Sequence, residues 1–331
     1  MRQRFPAYYR VSKDKLIERF DDLVFVCDAS ALLDVFRLKK ESTDEIFNVI
    51  DHYKDQIVVP YQAALEYNCN IHRVLNEQLR NISTAENTLN GFVGTLSAKR
   101  QQPYISQKTT RLLKQLQNQI TRDFKEQREF IEDQLIHGQL MNRMAEQLDG
   151  CVLDPFSKDD LIKIEEEGDR RYKSKIPPGF KDDSKDSNKY GDFIIWRELL
   201  RYAKTHSKSV IFVTNDAKED WVIRENGKTI GPLYALIEEF YKETENTDLL
   251  FHIYSLEWFL SFIRDKNNSI VSEETIDSVR EILSGSEKSD TLLSIDKQNM
   301  AAAEGQDCKE AFPVAEDKQS TDVTQEKMKE I

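Results

Sequence analysis

The sequence predicts an α/β fold: a mostly parallel sheet, helices on both faces, and a long helical insertion. Three observations carry this. Short apolar runs at 23–26, 56–59, 209–214 and 249–254 show little polar alternation, the pattern of strands buried on both faces. Amphipathic helical patterns separate them, as crossovers between parallel strands require. From Asn68 to about Gly150 strand signals nearly vanish, which puts a helical insertion, 68–150, between the second and third strands.

Residues 1–22 are polar and mixed, with a short helix expected over Ser12–Asp21. The first strand runs into VFVCDASALLD (24–34), where Leu32, Leu33, Val35 and Phe36 suggest a helical turn. Thr43–Tyr53 carries Ile46, Phe47, Val49 and Ile50 on one helical side. The second strand, Gln56–Val59, stops at Pro60, and Pro60 and Tyr61 open a helix because proline suits a first turn. Two long helical patterns follow, broken near Gly91–Gly94 and Pro103. In the second, Leu113, Leu116, Ile120, Phe124 and Ile131 make an apolar stripe. Lys108, Arg111, Lys114, Arg122 and Lys125 gather on the opposite face, with no acid between Arg100 and Asp123. Charges opposite an apolar stripe are ordinary, but one sign over several turns also suits phosphates.

A short helix is expected within 151–170. The polar stretch YKSKIPPGFKDDSKDSNKYG (172–191) then reads as a loop, and loops this long inside a compact domain are often functional. Asp192–His206 is helical, with Phe193, Ile194, Trp196, Leu199, Leu200 and Ala203 inward. Ser209–Thr214 is the strongest strand. An Asn226-Gly227 turn joins extended segments within Trp221–Pro232. Leu233–Tyr241 is a helix, Leu249–Tyr254 the last strand, and Leu256–Ile263 a closing helix.

The 331 residues include 59 acids and 47 bases, a net charge of −12. From Asp265 onward there are 16 acids and 8 bases, a net of −8, so the first 264 residues hold only −4. The expected division is therefore a folded unit, 1–264, and an acidic, largely disordered tail, 265–331, with one helix at Glu273–Leu283. Whole-chain acidity then says little against a nucleic-acid partner. No run approaches the ~20 apolar residues of a membrane span, and MRQRFPAYYRVSKDK lacks the apolar centre of a secretory signal. Cys27, Cys69, Cys151 and Cys308 lie far apart, with neither zinc nor disulfide spacing. A cytoplasmic location without membrane contact is the expectation.

Four carboxylates stand out by position. Asp28 ends the first strand, and Glu66 lies two turns into the helix after the second. Asp192 begins the helix after the polar loop, and Asp216 follows the third strand within TNDAKEDW. Each has an ordinary use: a helix cap, a solvated helical residue, a first-turn acid, an Asx turn. Together they fall where a parallel sheet gathers ligands, outside the carboxyl ends of its strands. Packed carboxylates repel unless a cation sits among them, and a hard divalent cation takes oxygen ligands of this kind.

VFVCDASALLD, IVVPYQAALEY, KYGDFIIW and SVIFVTNDAKEDW resemble the successive acidic motifs of PIN domains, more narrowly of large bacterial PIN-like proteins with a helical insertion. The resemblance covers about residues 20–264. It implies a parallel sheet of PIN-like, Rossmann-like topology and a Mg²⁺- or Mn²⁺-dependent endonuclease site. Asp28, Glu66, Asp192 and Asp216 would be the catalytic, metal-binding acids. Asp220 would be a fifth metal-binding acid, or a cap for the turn before Trp221. Ser30 and Thr214 resemble the small hydroxyl residues that line such sites. Lys181, Lys185 and Lys189 in the polar loop, with Arg111, Lys114 and Arg122 on the helical insertion, are the candidate substrate-binding cations; solvated surface is their ordinary use.

The implied reaction is phosphodiester hydrolysis by a metal-activated water, with single-stranded RNA as the expected partner and DNA as the alternative. The five histidines (52, 72, 137, 206, 252) lack triad-like spacing and read as structural. A haloacid-dehalogenase-type phosphatase is a weak rival, since it wants a second Asp where Ser30 stands. The other rival is a non-catalytic PIN-like module that binds nucleic acid or protein, with the helical insertion free for a homodimer or protein partner.

Overall fold

The computed structural model describes residues 1, 3–97, 105–185, 187–216, 218–225 and 228–296, with side-chain surroundings given through residue 284. The expected break at Pro103, the Asn226-Gly227 turn and the tail beyond 296 lie outside the described residues. Helix α1 (Lys13–Glu18) is capped by Ser12, whose side chain accepts from the Lys15 amide. Strand β1 (Leu23–Cys27) is buried throughout. Asp28 caps α2 (Ala29–Asp34), and α3 (Lys40–His52) buries the expected Ile46, Phe47, Val49 and Ile50. The second strand, β2, shortens to Ile57–Val58.

Helix α4 (Tyr61–Ser97) runs unbroken through Gly91 and Gly94, a correction to the expected break. A glycine costs a helix only about 1 kcal/mol, and a long antiparallel neighbour, α5 (Gln107–His137), packs along it. The seam also differs from the expected stripe. Leu113, Ile120 and Phe124 are half-buried and Ile131 is buried, but Leu116 is 56% exposed. Polar pairs complete the seam, Gln117 to Asn90 (2.9 Å) and Arg128 to Glu86 (3.1 Å). Gly138, left-handed at φ 61°, stops α5 and starts α6 (Gln139–Leu148).

The insertion returns to where it left. Val59 bridges Val152 in parallel, its amide donating to the Cys151 carbonyl and its carbonyl accepting from Leu153. Residues 151–153 are thus extended, and the helix expected in 151–170 is α7 (Lys158–Lys173), capped by Ser157. Helix α8 (Gly191–His206) buries Phe193, Trp196, Leu199, Leu200 and Ala203, and leads into the fully buried β3 (Ser209–Val213). Strands β4 (Val222–Glu225) and β5 (Lys228–Pro232) form a separate antiparallel pair. Helix α9 (Tyr234–Thr244), β6 (Phe251–Tyr254) and α10 (Leu256–Lys266) follow, then α11 (Glu273–Asp296). Val271, Ile276 and Val279 are core residues, so packed structure extends past the expected boundary at 264.

The main sheet has order β2-β1-β3-β6, all parallel. From β1 the chain goes first to one side, to β2, and later to the other, to β3. The order therefore reverses between β1 and β3, and their carboxyl ends frame the crevice where open α/β sheets bind ligands. Leu23 to Cys27 pair with Ser209 to Val213, so both strands end at the same level. Asp28 and Thr214 are the next residues of each.

Candidate active site

The segments after β1 and β3 are tied by one hydrogen-bond network. The Asp28 amide donates to the Val213 carbonyl (2.9 Å). One Asp28 carboxylate oxygen accepts from the Ala29 amide (2.8 Å), and the other from Ser30 Oγ (2.6 Å) and Thr214 Oγ1 (2.7 Å). Those hydroxyls in turn accept from the amides of Asn215 (3.0 Å) and Asp216 (3.2 Å). Asn215 braces the crossing from below, donating to Asp34 (2.7 Å) and accepting from the Leu256 amide (2.8 Å). Asp28 is buried, so its carboxyl is pushed above the usual range; the hydrogen bonds from Ser30 and Thr214 oppose that, and the charge of Asp216 adds to it. Capping of α2 and a buried place at the crevice therefore coexist in one residue.

Glu66 is reached from α4. Its Oε1 accepts from Gln62 Nε2 and Asn188 Nδ2, both at 2.9 Å. Burial, then the charge of Asp28, pushes its carboxyl up, against the hydrogen bonds of Asn188 and Gln62. A Cβ on Gly191 would stand 2.5 Å from Glu66 Oε1 and 2.6 Å from Asn188 Nδ2, so any larger residue would push these two side chains from their present hydrogen bond. The next residue, Asp192, accepts from Trp221 Nε1 (3.3 Å). Burial pushes its carboxyl up to about 7, with Lys218 pulling down and Asp182, Asp28 and Glu66 pushing further up. Asp28, Glu66, Asp192 and Asp216 thus lie within electrostatic reach of one another.

The centre also holds residues the sequence reading passed over. Lys218 Nζ lies 2.9 Å from both carboxylate oxygens of Asp182, 3.3 Å from Asp216 and 3.5 Å from Asp192. Burial alone would lower its pKa, but Asp192, Asp216 and Asp182 outweigh burial and keep it an ammonium. Among the described residues, no three His, Cys, Asp or Glu side chains converge closely enough to hold a metal as they stand. The donor chemistry nonetheless suits a hard cation: Asp28, Glu66, Asp192 and Asp216 offer carboxylate oxygens, beside the hydroxyls of Ser30 and Thr214. Burial pushes the neighbouring Cys27 thiol up to about 12, which removes it as ligand and nucleophile.

The remaining candidates fall into three places. Asp220 is fully buried and accepts from the amides of Gly179 (3.0 Å) and Lys181 (3.1 Å), so it holds the 179–182 turn; its other oxygen has no partner among the described residues. Lys181 pairs with Glu219 (2.9 Å), Lys185 with Asp182 (2.8 Å), and Lys189 with Asp183 (2.9 Å) and Asp169 (3.1 Å). Arg111, Lys114 and Arg122 are exposed on α5. Gln117 of that stretch meets Asn90, 24 residues beyond Glu66 on α4, about 36 Å at the helical rise. Those three are not brought to the acids.

Glu198 was also missed. It is 1% exposed, accepts from the Gln62 amide (3.1 Å) and so anchors the start of α4 to α8. Burial pushes its carboxyl up to about 7. A carboxyl raised on folding gives a contribution that is fully present below its unfolded value, near 4.5, and lost as pH rises through about 7. Thermal melts in EDTA are expected to fall across that window. Glu198→Gln should flatten the fall by on the order of 3 kcal/mol; a mutant profile parallel to wild type would refute this.

A groove of about 1190 Å³ leaves the crevice at Thr214–Asp216 and runs past β5 to α10 and α11. Lys181, Arg224, Lys228 and Arg280 line it, with Trp258, which is 57% exposed. Among the described residues no helix is long and apolar enough to cross a membrane.

The sequence profile of the PIN-like domain family matches residues 24–236, from the strand before Asp28 to beyond the Asp216 turn. No curated protein and no solved structure gives a significant match. With well over half of its length covered by that profile, the chain belongs to the PIN-like domain family.

Proposed function

We propose that this chain is a Mg²⁺- or Mn²⁺-dependent endonuclease that hydrolyses phosphodiester bonds in single-stranded RNA. One observation carries the reading: four carboxylates from separate segments, Asp28, Glu66, Asp192 and Asp216, gather at the topological switch point, and those of Asp28, Glu66 and Asp192 are pushed up first by burial and then by the charges of neighbouring carboxylates. A bound divalent cation supplies the positive charge and lowers the pKa of a coordinated water. The chain's own part is positional. Ser30 and Thr214 hold the Asp28 carboxylate in one orientation, Gln62 and Asn188 hold Glu66, and Trp221 Nε1 steadies Asp192.

Two features of the groove support a single strand: Lys181, Arg224, Lys228 and Arg280 line it, among the acids Asp216, Glu219 and Glu257, and the exposed Trp258 offers a face for a base. The basic face of α5 adds a remote phosphate contact for longer substrates. Phe92, Leu112 and Leu116, exposed near the far end of α4 and α5, are where a second copy or a protein partner would dock. A cytoplasmic location accords with the dispersed cysteines.

The test is a panel of end-labelled single-stranded RNA, single-stranded DNA and duplexes, with Mg²⁺, Mn²⁺ or EDTA. Internal cleavage of single strands, abolished by EDTA, is expected. Trp258→Ala should weaken short-oligonucleotide binding by about 1–3 kcal/mol per stacked base. Binding without cleavage under every metal would favour the non-catalytic module.

A further inference from the structure

The acidic centre holds more negative charge than four ligands imply. Among the described residues, Asp28, Glu66, Asp182, Asp192 and Asp216 make five carboxylates, and Lys218 and Lys185 are the ammoniums in contact with them. The two ammoniums are not spread evenly. Lys218 touches Asp182, Asp192 and Asp216, and Lys185 touches Asp182. Asp28 and Glu66 have only neutral hydrogen-bond donors among the described residues. With these five carboxylates ionised, the two ammoniums leave three charges unbalanced; one divalent ion would leave −1 and two would leave +1, so charge balance is equally close with either, and it is the position of Lys218 among Asp182, Asp192 and Asp216 that decides.

Lys218 is also held where it is. Its amide donates to the Asp216 carbonyl (3.0 Å), and its carbonyl accepts from the amides of Trp221 (3.0 Å) and Val222 (3.2 Å). Trp221 is buried and stacks on Phe212 of β3 at 4.9 Å. The backbone that carries the ammonium is therefore tied to the sheet, and the ammonium itself is held by three carboxylates.

We propose that Lys218 is a resident cation of the acidic centre: its ammonium neutralises the Asp182–Asp192–Asp216 side, so the centre takes one divalent ion, on the Asp28–Glu66 side, rather than two. The proposal rests on the metal-dependent reading above. A fixed ammonium among the acids also offers a phosphate a charge that no metal concentration controls.

The test is a Mn²⁺ titration of the full chain without nucleic acid, followed by electron paramagnetic resonance and calorimetry. Wild type is expected to bind one Mn²⁺ per chain, and Lys218→Met two. Lys218→Arg, which keeps the charge, should stay at one. Lys218→Gln, closer in shape and polarity, is read the same way should the Met variant not fold. A wild type that binds two Mn²⁺, or a folded neutral variant that stays at one, overturns the proposal. One Mn²⁺ in wild type and two in the variant, with no cleavage by wild type, supports it while failing the nuclease reading. Cleavage by a wild type holding two ions does the reverse, and no uptake at all overturns both.

Discussion

Asp28→Asn is expected to lower cleavage at least about 10³-fold, on the order of 4 kcal/mol of transition-state stabilisation, while leaving the fold intact. The separation of the two effects follows from the hydrogen bonds. Asparagine caps a helix about as well as aspartate: its amide oxygen still accepts from the Ala29 amide, while its NH2 replaces the oxygen facing Ser30 and Thr214 and donates to their hydroxyls instead. What disappears is the buried charge. Since burial penalises that charge, melting in EDTA should move by less than about 1 kcal/mol, a change within the range of replaced hydrogen bonds. Ser30→Ala combined with Thr214→Val should cost less, about 10–100-fold, as the loss of groups that only orient a ligand. Both measurements are needed: a melting temperature with EDTA and a cleavage rate with Mn²⁺. Persistent cleavage by Asp28→Asn would remove the residue from the centre, and joint loss of rate and stability would return it to the helix cap alone.

The second large effect is on stability, at an ion pair that takes no part in the acidic centre itself. Arg171 is buried and makes a bidentate pair with Glu239, at 2.5 and 2.6 Å, while donating to the Pro177 carbonyl and lying 4.6 Å over the Phe193 ring. Glu239 also accepts from Trp196 Nε1 (3.0 Å). One guanidinium thus joins α7, the 177–182 loop, α8 and α9. Arg171→Ala strands Glu239 beside the core, and breaking a buried pair from one side costs about 3–5 kcal/mol. A loss of roughly 2–4 °C per kcal/mol is expected for a chain of this size, read by thermal melting. Glu239→Gln added to Arg171→Ala should recover part of the loss, because the stranded charge is gone. A double variant no better than the single one would mean that packing on Phe193, not the ion pair, carries the effect.

The parts of this protein legible in the sequence are those set by local pattern. Unalternating apolar runs identified the four parallel strands, since a strand buried on both faces has no polar side to show. Helical periodicity found α3, α8, α9 and α10, and the strand-then-acid motifs pointed to Asp28 and Asp216 at the paired ends of β1 and β3. Boundaries inside the insertion were less legible. Gly91 and Gly94 read as a break, but the packing of α5 along α4 outweighs two glycine penalties. The stripe misjudged Leu116, because a paired long helix buries a narrower seam than one lying on a globular core.

The acids themselves were visible; their partners were not. Asp182 and Lys185 lie in a stretch that is polar throughout, and nothing in its composition separates Asp182, which is buried, from Asp183, which is exposed. Gly191 carries no signal of its own until Glu66, 125 residues earlier, is found against it. Lys218 sits two residues after Asp216 and reads as a turn lysine, although its ammonium reaches Asp182 and Asp192 from other segments. Strand positions, acid positions and helical character come from patterns within a few residues, so the sequence alone determined them. Which charge faces which depends on contacts between distant segments, and only the tertiary structure decided that an ammonium stands among the carboxylates.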